Sequence, residues 1–272
     1  MDLRLLEGPM RRYSTLLIVS FCSFLGFFAP NSHAEVYGEK TTGLLELERK
    51  YPYYLFVPSE YTTEKAWPLV ILLGERGDDP KKTIEPWVDW AQQKKVLVTA
   101  VPTLVPEKDI PEAADRWLIE VKREILERYH IDPANILLLG QGFGAHYAAY
   151  LAVRYPQEFA AAALTKNAWP GPFEKLIRPT SDHSRQTDFF VAVDPKQEGY
   201  GAIEKKALEL ERKGYQIKME ALNAGEDWLK PRDRMIQWLI ETSEFRSMKS
   251  HPKTHKNLKG KWREIRKNLF QM

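Results

Sequence analysis

The feature that most constrains the fold of this chain is a strand-like run that leads through a glycine-rich turn into a helix-like run. Residues 135–139 are apolar after a leading asparagine, residues 140–144 read Gly-Gln-Gly-Phe-Gly, and residues 145–150 have a helical composition. Glycines allow backbone conformations and close approaches that other residues avoid. We therefore predict a β-strand, a sharp turn centred on Gly142, and an α-helix that follows at once.

The rest of the chain alternates between strand-like and helix-like patterns in the same way. An opening hairpin is predicted at 43–48 and 53–58. The further strands are predicted at 67–74, 96–102, 159–164, 189–194 and 217–222, and the helices at 81–95, 111–130, 202–213 and 231–244. Such alternation predicts an α/β fold, with a mostly parallel central sheet flanked by helices on both faces.

One domain is predicted to span residues 35–245. A chain of this length with 43% hydrophobic residues can bury a single core without further support. Residues 167–186 are rich in proline and polar residues and are the one long irregular insertion in the pattern. We expect this insertion to lie above the sheet as a short lid.

Residues 1–34 are predicted to be a signal peptide. A basic pair precedes an apolar run at 14–29, and small residues stand before the expected cleavage between Ala34 and Glu35. Met10 is an alternative start of translation. We expect an exported protein, periplasmic or secreted. An uncleaved membrane anchor is the alternative, although the apolar run is shorter than the roughly 20 residues that span a bilayer.

Residues 246–272 form a basic C-terminal tail. They carry nine Lys or Arg residues and one acidic residue, Glu264, whereas the body of the chain is mildly acidic. Apolar residues recur among these cations at helical spacing, at Leu258, Trp262, Ile265 and Leu269. The pattern predicts a basic amphipathic helix that binds an anionic membrane surface or an acidic protein, or that docks on its own acidic body. Nucleic acid is not an expected partner of an exported protein.

The turn at 140–144 has the form of a nucleophile elbow without its nucleophile. In the pattern G-x-S-x-G, the middle residue sits on a strained strand-to-helix turn and exposes a hydroxyl above the sheet. Here the middle residue is Gly142, which has no side chain. The pattern G-x-G-x-x-G is not satisfied, so no dinucleotide cofactor is predicted, and no spacing of Cys or His suggests a metal site.

Several phrases of the sequence, together with the order of elements, resemble the α/β-hydrolase superfamily. They lie at 54–61, 67–74, 129–140 and 151–160. The resemblance is strongest to feruloyl-esterase and polyhydroxyalkanoate-depolymerase-like enzymes and extends over roughly residues 53–240. It implies the α/β-hydrolase fold and, for an active member, carboxylic-ester hydrolysis. A likeness of this kind is specific for fold and not for activity.

Carrying the family's catalytic positions onto this chain gives a degenerate triad. The serine falls on Gly142, the histidine on Glu226, and the acid on Asp194 or Glu198. A serine nucleophile needs a base to take its proton and a third group to orient that base. The resemblance therefore implies no catalytic residues and a pseudoenzyme. The alternative is an active ester hydrolase with a rearranged site, which would use Ser181 or Ser184 with His183.

The backbone hydrogen-bond donors that stabilise a negative charge in such a site are expected to remain in this chain. The amide of Phe143 begins a helix and the turn from Gly74 to Gly77 offers further donors, so the two turns are predicted to bind an acyl or carboxylate ligand without cleaving it. The predicted ligand-binding residues are Gly74, Glu75, Arg76, Gln141, Gly142 and Phe143. Loss of the serine side chain is expected to leave this pocket more open. The alternative is that the glycines only allow close packing and the cleft is inert.

Two further expectations concern charged side chains near this cleft. Arg76 and Glu226 are expected to form an ion pair in the vacated triad space, or else Arg76 is an ordinary solvated loop residue. His146 follows the turn on its helix, and we expect it to serve packing rather than chemistry.

Overall fold

A mostly parallel sheet forms the centre of the molecule. The computed structural model describes residues 41–104, 111–169, 171–182, 184, 186–223 and 229–243. The strands within them are β1 (Gly43–Arg49), β2 (Tyr51–Val57), β3 (Trp67–Leu73), β4 (Leu97–Val101), β5 (Ile131–Gln141), β6 (Ala161–Thr165), β7 (Asp188–Val193) and β8 (Ile217–Ala221). They lie in the order β1-β2-β4-β3-β5-β6-β7-β8.

The strand pairing confirms the predicted hairpin and the parallel sheet. The hairpin of β1 and β2 is antiparallel, and β2 pairs antiparallel with β4. All other neighbours, from β4 through β3 and β5 to β8, are parallel. Every residue of β4, β6 and β7 is buried, which is typical of parallel strands covered on both faces.

Helices cover both faces of this sheet, as the alternation predicts. Their bounds are α1 (Pro80–Ile84), α2 (Val88–Lys94), α3 (Glu112–Arg128), α4 (Phe143–Arg154), α5 (Tyr200–Arg212) and α6 (Arg232–Glu241). The buried side chains of α3, α4 and α5 share one apolar cluster with one face of the sheet. Those of α1, α2 and α6 share a second cluster with the other face. The predicted α/β architecture is therefore confirmed.

The prediction of one continuous helix at 81–95 is wrong. A 3₁₀ turn, Glu85–Trp87, separates α1 from α2. Pro86 lies in this turn. Proline has no backbone N–H to donate within an α-helix, and its ring clashes with the carbonyl four residues earlier, so a continuous α-helix cannot pass through it without a kink. At this break, the side chain of Trp87 is buried in the second apolar cluster.

The insertion at 167–186 only partly lies where a lid was expected. It leaves β6 at the carboxyl edge of the sheet, and Trp169 and Phe173 are buried against the first apolar cluster. Its second part reaches the amino edge, where the Thr180 backbone N–H donates to the Tyr215 hydroxyl (3.2 Å) just before β8. The described part of this segment is therefore a strap packed along the domain, because its aromatic residues anchor it in the core.

The predicted signal peptide, residues 1–34, and the basic tail, residues 246–272, lie outside the described residues. In the part of the chain that is described, no helix is long and apolar enough to cross a membrane. Within the same ranges, no cluster of His, Cys, Asp and Glu is placed to hold a metal ion.

Candidate functional site

The predicted strand, sharp turn and helix are present at Gly142. This residue links β5 to α4 with φ 57° and ψ −118°, a combination that residues with a side chain rarely adopt. Its N–H donates to the Thr165 carbonyl (3.0 Å), and its carbonyl accepts from the Ala145 N–H (3.1 Å). The turn is thus fixed to β6 on one side and to the first turn of α4 on the other. We call residues 140–144 the elbow.

The two outer glycines of the elbow are required by packing. A Cβ added at Gly144 would lie 2.5 Å from the Gly74 carbonyl oxygen, and one added at Gly140 would lie 2.5 Å from the Ala145 Cα. Real Cβ atoms do not come so close to backbone atoms, so α4 approaches β3 and β5 only because both residues lack a side chain. This supports the packing role that the sequence leaves open for these glycines.

The space above Gly142 is filled by the side chain of Glu75. A Cβ added at Gly142 would overlap the Glu75 carboxylate and lie 2.8 Å from its Oε2 atom. The same Oε2 accepts a hydrogen bond from the Phe143 N–H (2.8 Å), the first amide of α4. The expectation that loss of a side chain leaves this pocket more open is therefore wrong. Glu75, predicted as a ligand-binding residue, itself occupies the place where a ligand was expected.

The turn after β3 also uses its own donors. The Glu75 N–H donates to the Asp78 Oδ2 atom (2.8 Å), and the Asp78 N–H donates to the Glu75 carbonyl (3.2 Å). The Gly74 carbonyl accepts from the buried Thr103 hydroxyl (3.0 Å). An oxyanion site needs preorganised donors aimed at the developing charge. At both the elbow and this turn, such a donor is already bound to a carboxylate of the protein.

Arg76 lies over the aromatic ring at the start of α4. Its guanidinium carbon is 4.3 Å from the centroid of the Phe143 ring, a cation–π distance. The ring of Phe173, from the strap, packs edge-on against the Phe143 ring, with 5.7 Å between the two ring centroids. The predicted partner of Arg76, Glu226, lies outside the described residues, so their ion pair stays a prediction.

The two residues predicted for the acid position lie in the loop after β7. The Asp194 Oδ1 atom accepts from the Lys196 N–H (2.8 Å), so this carboxylate caps its own turn. Glu198 is exposed in the same loop, just before α5 begins. The described contacts therefore give Asp194 a local structural role and do not assign a catalytic acid.

His146 packs beneath the strap. Its Nδ1 atom is buried and has no hydrogen-bond partner among the described residues. A Cβ added at Gly171 would lie 2.5 Å from the His146 Cγ atom, so the strap passes directly against the imidazole. Burial lowers the pKa of His146, while the Ala168 backbone and the Glu75 charge oppose this shift. The close packing of the strap against the ring agrees with the packing role expected from the sequence.

A buried carboxylate that the sequence analysis missed lies beneath the elbow helix. Asp115 of α3 is fully buried and accepts hydrogen bonds from the hydroxyls of Tyr147 (2.7 Å), Tyr150 (2.8 Å) and Tyr155 (3.0 Å). Burial raises the pKa of Asp115, and the three phenol donors oppose that shift. The sequence signal that could have revealed this cluster is the acidic residue Asp115 inside the apolar stripe of α3. This cluster fixes α3 to the helix that carries the elbow.

Ser184, one of the two serines of the alternative, rearranged site, lies far from the elbow. The Ser184 hydroxyl donates to the Asp182 Oδ1 atom (2.7 Å), and its carbonyl accepts from the Gln157 side chain (3.3 Å). Gln157 follows the end of α4, and twelve helical residues span about 18 Å. His183 lies outside the described residues. A site at Ser184 would therefore work at the opposite end of α4 from the elbow.

Comparisons with known proteins find similarity in structure alone. No model of a protein family matches the sequence, and no curated protein matches it. Among solved structures, a thermostable esterase is similar with a TM-score of 0.55 and 23% identity, over 73% of this chain and 62% of its own length. This chain thus covers less than two thirds of that esterase.

Two further structures are covered almost completely. An S-formylglutathione hydrolase from Staphylococcus aureus has a TM-score of 0.56 and 13% identity, over 73% of this chain and 98% of its own. A ferulic acid esterase has a TM-score of 0.57 and 14% identity, over 74% of this chain and 96% of its own. At such identities the likeness shows the fold and nothing finer.

Proposed function

Because this chain has the α/β-hydrolase fold that those esterases and hydrolases share, we propose that it is a pseudoenzyme of the esterase type, which binds and does not catalyse. One observation carries the proposal. Gly142 supplies no nucleophile at the elbow, and the carboxylate of Glu75 fills the space where a nucleophile would stand. The fold is kept, and the reactive position is closed by the protein itself.

Two requirements of acyl transfer, a nucleophile and an available oxyanion donor, are opposed at this elbow. Loss of triad members reduces kcat by factors on the order of a million in a well-studied serine hydrolase. Loss of one oxyanion donor costs a further factor of about 10² to 10³, and here the Phe143 N–H is bound to Glu75. The negative charge of the docked Glu75 carboxylate also repels an oxyanion that would form at the elbow, since like charges repel strongly at short range.

The binding role that we propose uses the same contact. The Phe143 N–H at the start of α4 already holds a carboxylate, which supports an acyl or carboxylate small molecule as the class of ligand. Such a ligand has to displace Glu75. A protein partner is the alternative occupant of this surface, and a purely packing role of the elbow glycines is the competing explanation.

We further propose that the protein is exported, with residues 1–34 as its signal peptide, and that residues 246–272 bind an anionic membrane surface or an acidic protein. The arguments for both are the charge and hydrophobic patterns of these two segments. In this view the folded domain and the tail act in the same compartment, and the tail brings the domain to a surface.

Ester hydrolysis by the purified chain tests the pseudoenzyme. With p-nitrophenyl butyrate as substrate, we expect the same rate for residues 35–272, for the variant Gly142→Ala and for buffer alone. A rate well above buffer that Ser181→Ala or Ser184→Ala abolishes would contradict the proposal and favour the rearranged hydrolase. A rate that Gly142→Ala abolishes would show instead that the elbow itself is active.

A further inference from the structure

The Glu75 carboxylate is held at the elbow by a contact between distant parts of the chain. Its Oε2 atom bonds to the Phe143 N–H, 68 positions away, at 2.8 Å. Its other oxygen lies where the side chain of residue 142 would begin, as the overlap with an added Cβ shows. The carboxylate therefore satisfies two conditions at once, because it fills a volume and binds the first donor of a twelve-residue helix.

The backbone beneath Glu75 is fixed, whereas its side chain is not. Hydrogen bonds from Glu75 N–H to Asp78 and from Thr103 to the Gly74 carbonyl hold the turn. The side chain of Glu75 is exposed to solvent, so no packing prevents it from rotating outward. Rotation about its side-chain bonds alone would open the volume above Gly142 and release the Phe143 N–H, without any change of the backbone.

A positive charge stands beside the same amide. The Arg76 guanidinium lies over the Phe143 ring, with 4.3 Å between its carbon and the ring centroid. The start of α4 adds a partial positive charge. When Glu75 rotates away, these two features remain and favour a free carboxylate over a neutral group at the elbow.

We propose that Glu75 is a tethered occupant of the elbow, which competes with free carboxylates for the Phe143 N–H, so that the elbow binds a free carboxylate only when Glu75 has rotated out. The inference rests on the proposed binding function of this site and adds its regulation. If Glu75 is docked nine tenths of the time, the apparent Kd for a free carboxylate is about ten times higher than in a chain without it.

The test is an acetate titration followed at the Phe143 amide by ¹H–¹⁵N NMR, at constant ionic strength with chloride as the balancing anion. In the unmodified chain we expect little response. In Glu75→Ala we expect the Phe143 signal to differ at the outset and then to move saturably with acetate, with half-saturation at least about ten-fold lower. Glu75→Asp keeps the charge on a shorter side chain, and we expect it to respond as Glu75→Ala does.

Asp79→Ala is the matched control. Asp79 caps α1 through the Lys81 N–H (2.9 Å), so its removal also frees a helix N-terminal donor, but without the volume above Gly142. We expect no saturable acetate response at Lys81. An equal response there, an unmoved Phe143 signal in Glu75→Ala, or the absence of acetate binding to both Glu75 variants would overturn the inference.

The outcome is separable from that of the proposed function. Acetate binding by Glu75→Ala needs no chemistry at the elbow, and its failure leaves the absence of ester hydrolysis untouched. Conversely, ester turnover by the unmodified chain would remove the pseudoenzyme and still leave the competition between Glu75 and acetate to be read at the Phe143 amide.

Discussion

A side chain at position 142 and the carboxylate of Glu75 exclude each other, which predicts an energetic coupling between two residues that are distant in sequence. A Cβ at Gly142 would overlap the Glu75 carboxylate, so Gly142→Ala must expel it and break its bond to the Phe143 N–H. In a chain that already carries Glu75→Ala, the same substitution has nothing to expel. The two substitutions should therefore not be additive.

The magnitude follows from two contributions. A side chain forced to the positive φ of Gly142 costs about 1 to 2 kcal/mol. Loss of the carboxylate that binds the first amide of α4 costs about 1 kcal/mol, as for an N-cap residue. Gly142→Ala alone should thus lower the free energy of unfolding by about 2 to 3 kcal/mol, and in the Glu75→Ala background by about 1 to 2. The coupling energy is about 1 kcal/mol.

Urea unfolding of the two single variants and the double variant, followed by tryptophan fluorescence, measures this cycle. Gly199→Ala provides the control, because Gly199 also has a positive φ, 83°, but a Cβ there meets nothing within 4 Å. It should cost the backbone strain alone and show no coupling to Glu75→Ala. If Gly142→Ala and Glu75→Ala were additive within about 0.3 kcal/mol, the account of a carboxylate filling the elbow would be refuted.

Three other predictions concern the core, the strap and the tail. Asp115→Leu leaves three phenol hydroxyls without their acceptor, so it should lower the free energy of unfolding in urea by about 3 kcal/mol. Tyr155→Phe removes only one donor and should lower it by about 1 kcal/mol. Equal effects of the two substitutions would contradict a cluster in which one carboxylate accepts from three hydroxyls. Burial lowers the pKa of His146 in the folded state, so the stability linked to this residue is present above a pH of about 6.5 and is lost as the pH falls below that value. The free energy of unfolding, measured from about pH 7 to about pH 5, should therefore fall less steeply in His146→Gln than in the unmodified chain. An unchanged slope would contradict the lowered pKa of His146. Truncation after Phe245 should abolish sedimentation with vesicles that contain phosphatidylserine, and equal binding by the truncated chain would exclude the tail as the membrane-binding element.

The architecture was predictable because the strands, helices and turns are each determined largely by their own local sequence pattern. Apolar runs of strand length, helical stripes and the glycines at 140–144 each report on their own neighbourhood, and the structure has the corresponding elements. The break at Pro86 also has a local cause, the missing N–H of proline, but the helical spacing of the apolar residues predicted one continuous helix there. The close approach of α4 to β3 follows from Gly140 and Gly144 for the same reason.

The state of the elbow was not predictable in this way. Whether Glu75 points to solvent or to Phe143 depends on the orientation of one side chain relative to a helix 68 positions away, and no periodicity encodes that contact. The sequence located the residues of both turns but not the hydrogen bonds between them. In the same way, the apolar stripe of α3 predicts a buried face, but only the packing of α4 brings three hydroxyls to Asp115.

The insertion at 167–186 shows how composition misleads when a few residues dominate the packing. Its prolines and polar residues suggested a short lid above the sheet, yet Trp169 and Phe173 are buried in the core and the backbone at Gly171 lies against His146. Burial of one large aromatic side chain contributes about 1.5 to 3 kcal/mol, which is enough to anchor an otherwise polar segment.

Intact-protein mass spectrometry after exposure to a fluorophosphonate measures most directly whether any serine of this protein is activated. We predict that the mass of residues 35–272 stays unchanged under conditions in which an ordinary serine esterase is labelled completely. One phosphonyl group added in stoichiometric amount, and mapped to a serine by peptide sequencing, would contradict the pseudoenzyme.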